Sequence, residues 1–147
     1  MGKKIKRSKK IAVVVSEFNK EITDGLLKGA LKAFDEKNIN ESSVNIIRCP
    51  GAFEIPYIAR KLCVSKKYSA VVCLGAVIKG ETAHFEYISD AVSKSIAGLN
   101  LQSDIPVIFG VLTCYTYEQA AARSQDNREN KGAEAALAAL DMISLKI

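Results

Sequence analysis

The chain has 147 residues, of which 48% are hydrophobic and 25% charged, a composition that fits a folded protein with one buried core. The formal net charge of +5 arises in the first ten residues, because the remainder carries 15 basic and 16 acidic residues. This balance excludes a broadly basic nucleic-acid surface, and no apolar run is long enough to cross a bilayer.

The N-terminal segment 1–10 contains only basic charges, and we interpret it as a tail that precedes a single domain at 11–147. Such a tail can bind nucleic acid or acidic surfaces, or it can be a solvated arm or part of a subunit contact. No aromatic residue lies between its charges, so we expect no nucleic-acid partner. The tail also lacks the apolar centre of a secretory signal.

Four continuous apolar runs divide the domain. They cover residues 11–15, 44–47, 70–74 and 107–112. Runs without alternation are typical of strands covered on both faces, so we predict a parallel sheet. Helical stripes follow the runs in turn, beginning with Ile22, Leu26, Ala30, Ala33 and Phe34 and ending with Ala133, Ala136, Leu137, Leu140 and Ile143.

The order of these segments is a strand and a helix four times, then a closing helix. It predicts an α/β fold, a flavodoxin-like three-layer sandwich in which a four-stranded parallel sheet has helices on both faces. Residues 116–124 are predicted to be helical, and the polar segment 124–131 is predicted to be a loop before the closing helix.

The four cysteines, at positions 49, 63, 73 and 114, form no CxxC pair. Cys63 and Cys73 lie in apolar or helical patterns and are interpreted as small buried side chains. Because the chain has one histidine, it offers no zinc-ligand set, and we predict no metal site. This cysteine usage favours a reduced, cytoplasmic setting.

Ligands of an open parallel sheet bind beyond the carboxyl ends of its strands. Phe18 follows the first strand and is interpreted as a platform for a flat heteroaromatic ring, as a core residue, or as a hydrophobic staple for the next helix. Glu54 follows the second strand, where it either binds ligand hydroxyls or places its charge favourably at a helix start. The third strand is predicted to end at Gly75.

Residues 80–82 are predicted to open the helix that carries His84, the single histidine. A helix start with free backbone N–H groups suits a small phosphate, but Thr82 can equally be an ordinary N-cap. The positive end of the helix favours a neutral imidazole that can accept a proton. A lone histidine is also compatible with a purely structural role.

Several motifs carry a resemblance to a known family. They are PGAFEIP at 50–56, GAVIKGETAHFEYI at 75–88, PVIFGVLT at 106–113 followed by Glu118-Gln119-Ala120, and Asn130-Lys131-Gly132 before an alanine-rich helix. From about residue 10 to residue 145 the chain resembles the lumazine synthase family. The resemblance implies a transferase that joins 5-amino-6-(D-ribitylamino)uracil to 3,4-dihydroxy-2-butanone 4-phosphate, with loss of phosphate and water, and that needs no metal or organic cofactor.

The resemblance also implies roles for residues that contact the pyrimidine substrate. Phe18 would stack on the pyrimidine ring. Ala52, Phe53 and Glu54 would contact this substrate, with Ala52 and Glu54 holding its ribityl chain. Backbone groups of Ala76, Val77 and Ile78 would meet the edge of the ring.

A second group of residues is implied at the phosphate. Glu81 and Thr82 would donate hydrogen bonds to it, and His84 would carry protons as a catalytic residue. From a neighbouring subunit, Phe109 would close the pocket, Arg123 would clamp the phosphate as the second catalytic residue, and Lys131 would lie nearby. The resemblance therefore implies a homo-oligomer, at least a pentamer, with shared active sites, and a functional link to riboflavin synthase.

The chain departs from the family pattern in two places. Glu17 replaces a common arginine, and residues 124–130 keep the family's length but lack its glycines and threonine. Three other interpretations are open: a domain that binds a flavin or lumazine without catalysis, a shell-forming homologue, and a signalling receiver. A receiver needs an aspartate at the end of the third strand, where this chain has Gly75.

Overall fold

A computed structural model describes residues 10–147 of the chain. Its elements, in chain order, are β1 (Ile11–Ser16), α1 (Lys20–Glu36), β2 (Val44–Cys49), α2 (Ile55–Val64), β3 (Ala70–Ile78), α3 (His84–Gln102), β4 (Val107–Cys114), α4 (Tyr117–Ala122) and α5 (Lys131–Ser144). Short 3₁₀ turns at Glu41–Ser43 and Ala52–Glu54 precede β2 and α2. The predicted basic tail lies, except for Lys10, outside the described residues.

The strands form one parallel sheet in the order β2-β1-β3-β4, which confirms the predicted flavodoxin-like α/β arrangement. Ile11 of β1 is in register with Val44 of β2 on one side and with Ala70 of β3 on the other. The chain moves outward from β1 to β2 and then crosses back to β3. This reversal creates a crevice beyond the carboxyl ends of β1 and β3, where such sheets bind ligands.

The side chains of β1 alternate between two cores, one on each face of the sheet. Val13 and Val15 pack in the core that α1, α4 and α5 cover. Ala12 and Val14 pack in the core that α2 and α3 cover. The predicted three layers are therefore present, and the inner strands are buried on both faces, as their unbroken apolar sequences require.

Three predictions about element bounds and burial were wrong in part. The second and fourth strands are not covered on both faces, because β2 and β4 are the two edges of the sheet, where Ile46 is 42% exposed and Phe109 is 44% exposed. The third strand does not end at Gly75 but continues to Ile78, since its backbone pairs with β4 as far as Cys114. The helix predicted at 116–124 is shorter: Thr116 is its N-cap, in a capping box with Gln119, and the helix ends at Ala122.

The predicted burial of the cysteines is confirmed for Cys73, which has no exposed surface, whereas Cys63 is only half-buried. The four thiols are free. Among residues 10–147, no helix is long and apolar enough to span a bilayer.

Candidate functional site

A cavity of about 600 Å³ opens beyond the carboxyl ends of β1 and β3, where the strand order reverses. It is lined by Phe18, Asn19, Gly51, Ala52, Phe53, Glu54, Ala76, Val77, Ile78, Gly80, Thr82, His84, Phe85 and Ile88. Most of the predicted substrate-binding residues and the predicted proton carrier are thus brought together in one place. Its size and mostly apolar walls suit a small organic ligand.

The turn after β1 presents an aromatic ring at this cavity. Asn19 adopts the left-handed conformation, with φ 60°, which bends the chain sharply before α1. The backbone N–H of Phe18 donates to the carbonyl oxygen of Pro50 at 2.9 Å, so the turn is tied to the end of β2. The ring of Phe18 is 72% exposed, which rules out the core-residue interpretation and leaves a free face for a ligand.

The segment after β2 supplies the opposite wall. The N–H of Glu54 donates to the carbonyl oxygen of Gly51 at 3.2 Å, which closes the 3₁₀ turn and directs Ala52 and Glu54 to the cavity. Ala52 is nearly buried, whereas Phe53 is 59% exposed. A carboxylate beside an apolar floor can accept hydrogen bonds from hydroxyl groups of a ligand.

Cys49 lies under this turn and is 4% exposed. Burial above all, together with the carboxylates of Glu54 and Glu17, raises the pKa of its thiol to about 11. Burial likewise raises the pKa values of Cys73 and Cys114. These thiols therefore stay protonated near neutral pH, and none of the three is suited to act as a nucleophilic thiolate.

His84 is the first residue of α3 and is exposed at the cavity. Its backbone N–H donates to the hydroxyl oxygen of Thr82 at 3.3 Å, so Thr82 acts in part as the predicted cap, although Ala83 occupies the N-cap position. Glu81 is exposed but does not line the cavity, unlike Gly80 and Thr82 on either side of it. The helix start thus brings an imidazole and a hydroxyl to the ligand space.

Three predicted residues lie elsewhere. Phe109, Arg123 and Lys131 line a second cavity of about 350 Å³ along the free edge of β4, and the two cavities share no lining residue. The guanidinium of Arg123 donates to the carbonyl oxygen of Gln119 at 2.9 Å, and the ammonium of Lys131 pairs with Glu134 at 2.8 Å. Within one chain, the predicted residues therefore form two separate groups.

Sequence reasoning missed some of the lining residues. Phe85 and Ile88 were not singled out as site residues, yet both reach the cavity because they lie in the first two turns of α3. Asn19 was not singled out. The sequence does contain a signal for Asn19. It lies directly before a helix, in a turn after a buried strand, and asparagine tolerates the left-handed conformation.

No group of three or more histidine, cysteine or acidic side chains is placed to hold a metal ion in the described part of the chain. The side chains at the first cavity offer an aromatic platform, a carboxylate, a hydroxyl and an imidazole.

Two comparisons with known proteins show the family of the chain. The sequence model of the 6,7-dimethyl-8-ribityllumazine synthase family matches residues 8–146. The chain is also similar to the Caulobacter vibrioides protein named 6,7-dimethyl-8-ribityllumazine synthase 1. The two are 54% identical over 134 residues, which cover 91% of this chain and 88% of that protein.

Proposed function

The chain belongs to the 6,7-dimethyl-8-ribityllumazine synthase family, and on that basis we propose how its own residues carry out the reaction. It is a transferase that condenses 5-amino-6-(D-ribitylamino)uracil with 3,4-dihydroxy-2-butanone 4-phosphate. The products are 6,7-dimethyl-8-ribityllumazine, phosphate and water, and the reaction is the penultimate step of riboflavin biosynthesis.

The first cavity holds the pyrimidine substrate. Phe18 stacks on the ring, and the backbone of Ala76, Val77 and Ile78 at the end of β3 meets the edge of the ring. The carboxylate of Glu54 accepts hydrogen bonds from the ribityl hydroxyls beside Ala52 and Phe53. Two observations support this placement of the substrate: all of these residues line one cavity, and Phe18 is 72% exposed.

His84 moves the protons of the reaction. The 5-amino nitrogen adds to the ketone carbon of the second substrate, and loss of water gives an imine. The imidazole then takes the proton from the carbon between the imine and the phosphate-bearing carbon, and the electron pair expels phosphate as the C–O bond breaks. The resulting enol takes up a proton at its terminal carbon and becomes a ketone, and the ribitylamino nitrogen adds to that carbonyl carbon with loss of a second water, which closes the ring. An exposed imidazole at the cavity supports this role.

The phosphate is held next to His84, by the hydroxyl of Thr82 and groups of Glu81 on one chain and by Arg123 of a neighbouring copy. Phe109 and Lys131 of that copy complete the pocket. Arg123 and Lys131 line a cavity that does not meet the first one within the chain, and this separation supports a site shared between subunits. The functional protein is accordingly a homo-oligomer, at least a pentamer, whose active sites lie between copies.

The setting of the enzyme is the cytoplasm, and its product passes to riboflavin synthase. The four free thiols of the described chain support a reducing compartment. The link to riboflavin synthase follows from the chemistry, because the lumazine is the compound that the next step must consume.

One observation carries the proposal: Phe18, Glu54, Thr82 and His84 line a single cavity at the point where the strand order reverses. The test mixes the two substrates with purified protein, follows the fluorescent lumazine, and measures the size of the active species by light scattering. Lumazine formation by an oligomer is expected. Binding of the pyrimidine without product would favour the non-catalytic homologue, and full activity in a monomer would contradict the shared site.

A further inference from the structure

Asn130, directly before Lys131, is one of the few polar residues buried in the described chain, with 2% of its surface exposed. Its side-chain amide donates to the carbonyl oxygens of Gly25 at 3.1 Å and Gln125 at 2.9 Å. Its side-chain oxygen accepts from the N–H of Ala133 at 3.0 Å, which caps α5. One side chain thus joins α1, the 123–130 segment and α5.

The surface of α1 is shaped to receive this segment. A Cβ at Gly25 would overlap the carbonyl oxygen of Ser124, and one at Gly29 would overlap the side-chain oxygen of Asn130. On the other side, a Cβ at Gly132 would overlap the carbonyl oxygen of Leu26. Gly25 and Gly132 therefore allow backbone-to-backbone contact, and Gly29 leaves room for the side-chain amide of Asn130.

The two ends of the segment are also joined. The N–H of Lys131 donates to the carbonyl oxygen of Arg123 at 2.8 Å, so residues 124–130 form a closed loop between the two cations. The side chains at 125–129 are exposed, and the loop is held from inside through Asn130. This explains how the segment can depart from the family sequence while its ends keep their positions.

We propose that Asn130 is a positioning residue that fixes Arg123 and Lys131 at the spacing required to bind the substrate phosphate. This inference rests on the phosphate-binding role proposed for those two cations. Without the two amide donors, the loop loses its hydrogen bond to the carbonyl oxygen of Gly25 in α1, and Arg123 and Lys131 can move together. The pyrimidine half of the site, on other strands and turns, keeps its geometry.

The variant Asn130→Ser removes the donors and keeps a hydroxyl that can cap α5. We expect the inhibition constant of inorganic phosphate and the KM of the butanone phosphate to rise about tenfold, because misplaced donors lose charge-assisted hydrogen bonds. The KM of the pyrimidine should stay within about twofold. The matched control is Asn127→Ser, the same change at an exposed position of the loop, which should leave both constants unchanged.

Asn130→Asp is the second variant, because it retains the capping oxygen and the volume but replaces the amide donors with a negatively charged oxygen that faces the carbonyl oxygens of Gly25 and Gln125. A folded Asn130 variant with unchanged phosphate inhibition would overturn the inference, as would equal loss of affinity for both substrates, or failure of both variants to fold. Arg123→Ala separates this inference from the proposed function. If that variant leaves phosphate inhibition unchanged, the proposed clamp is wrong; if only the Asn130 variants do, the clamp stands and the positioning role fails.

Discussion

The side-chain amide of Asn19 donates a hydrogen bond of 3.2 Å to the carbonyl oxygen of Ala76. This bond joins the turn after β1 to the end of β3, the two segments between which the strand order reverses. It therefore sets the position of Phe18 relative to the backbone proposed to contact the pyrimidine. The geometry of the cavity depends on a residue whose side chain has no proposed chemical role.

Replacing Asn19 should separate backbone strain from site geometry. Asn19→Ala should lower the free energy of unfolding by about 2 kcal/mol, through a left-handed alanine and a lost hydrogen bond. Asn19→Gly relieves the strain but not the lost bond, so it should be the more stable of the two. Both should raise the KM of the pyrimidine. Urea unfolding and steady-state kinetics are the measurements, and an unchanged KM in both variants would contradict the account.

Phe18→Ala should weaken pyrimidine binding without unfolding the protein. Stacking on an aromatic side chain contributes about 1–3 kcal/mol per base, so the KM of the pyrimidine should rise about 10- to 100-fold. The ring is 72% exposed, and the free energy of unfolding should change by less than about 0.5 kcal/mol. Phe18→Tyr, which keeps the aromatic face, is the control. A normal KM in Phe18→Ala would place the ring elsewhere.

The four-stranded parallel sheet could be predicted because unbroken apolar runs have few other uses in a chain of this kind. The end of β3 could not be predicted, because Gly75 and Ala76 resemble a turn in the sequence. They remain extended in the structure because this part of β3 pairs with β4. The exposure of β2 was missed for a similar reason: hydrophobicity does not tell an edge strand from a central one. For the site, residue types indicated Phe18 and His84, but long-range contacts such as that of Asn19 have no sequence pattern.

His84→Ala should slow turnover by about 10- to 100-fold rather than abolish it. Proton transfer by a side chain contributes about 10²–10⁴, and positioning of the two substrates survives in the variant. The initial rate of lumazine formation at saturating substrates is the measurement. Phosphate inhibition should be unchanged, which controls for damage to the site. Complete loss of activity in a folded variant that still binds both substrates would be inconsistent with this role.

Cys49 should react slowly with alkylating agents and take no part in catalysis, despite its position under the turn that lines the cavity. With its pKa raised from 9.0 to about 11 by burial and by the carboxylates of Glu54 and Glu17, its thiolate fraction at pH 8 is about one hundredth of that of an unperturbed thiol. Alkylation of Cys49 by iodoacetamide, followed by mass spectrometry, should be slower by about that factor. Cys49→Ala should retain most of its activity, and a large loss in kcat would show that the thiol takes part.

The shared site predicts that two defective variants restore each other. His84→Ala damages the half-site on the first cavity, and Arg123→Glu damages the half-site on the edge of β4. If each active site joins the two half-sites from different copies, random co-assembly leaves about a quarter of the sites with both intact halves. Activity of the hybrids, formed by unfolding and refolding an equimolar mixture, should rise to that level above the parents.

The control is a mixture of His84→Ala with Phe18→Ala: both changes lie on the same half-site, so every site in those hybrids stays defective. Equal recovery in the two mixtures, or none in the first despite hybrid formation, would mean that Arg123 does not reach across to a neighbouring copy.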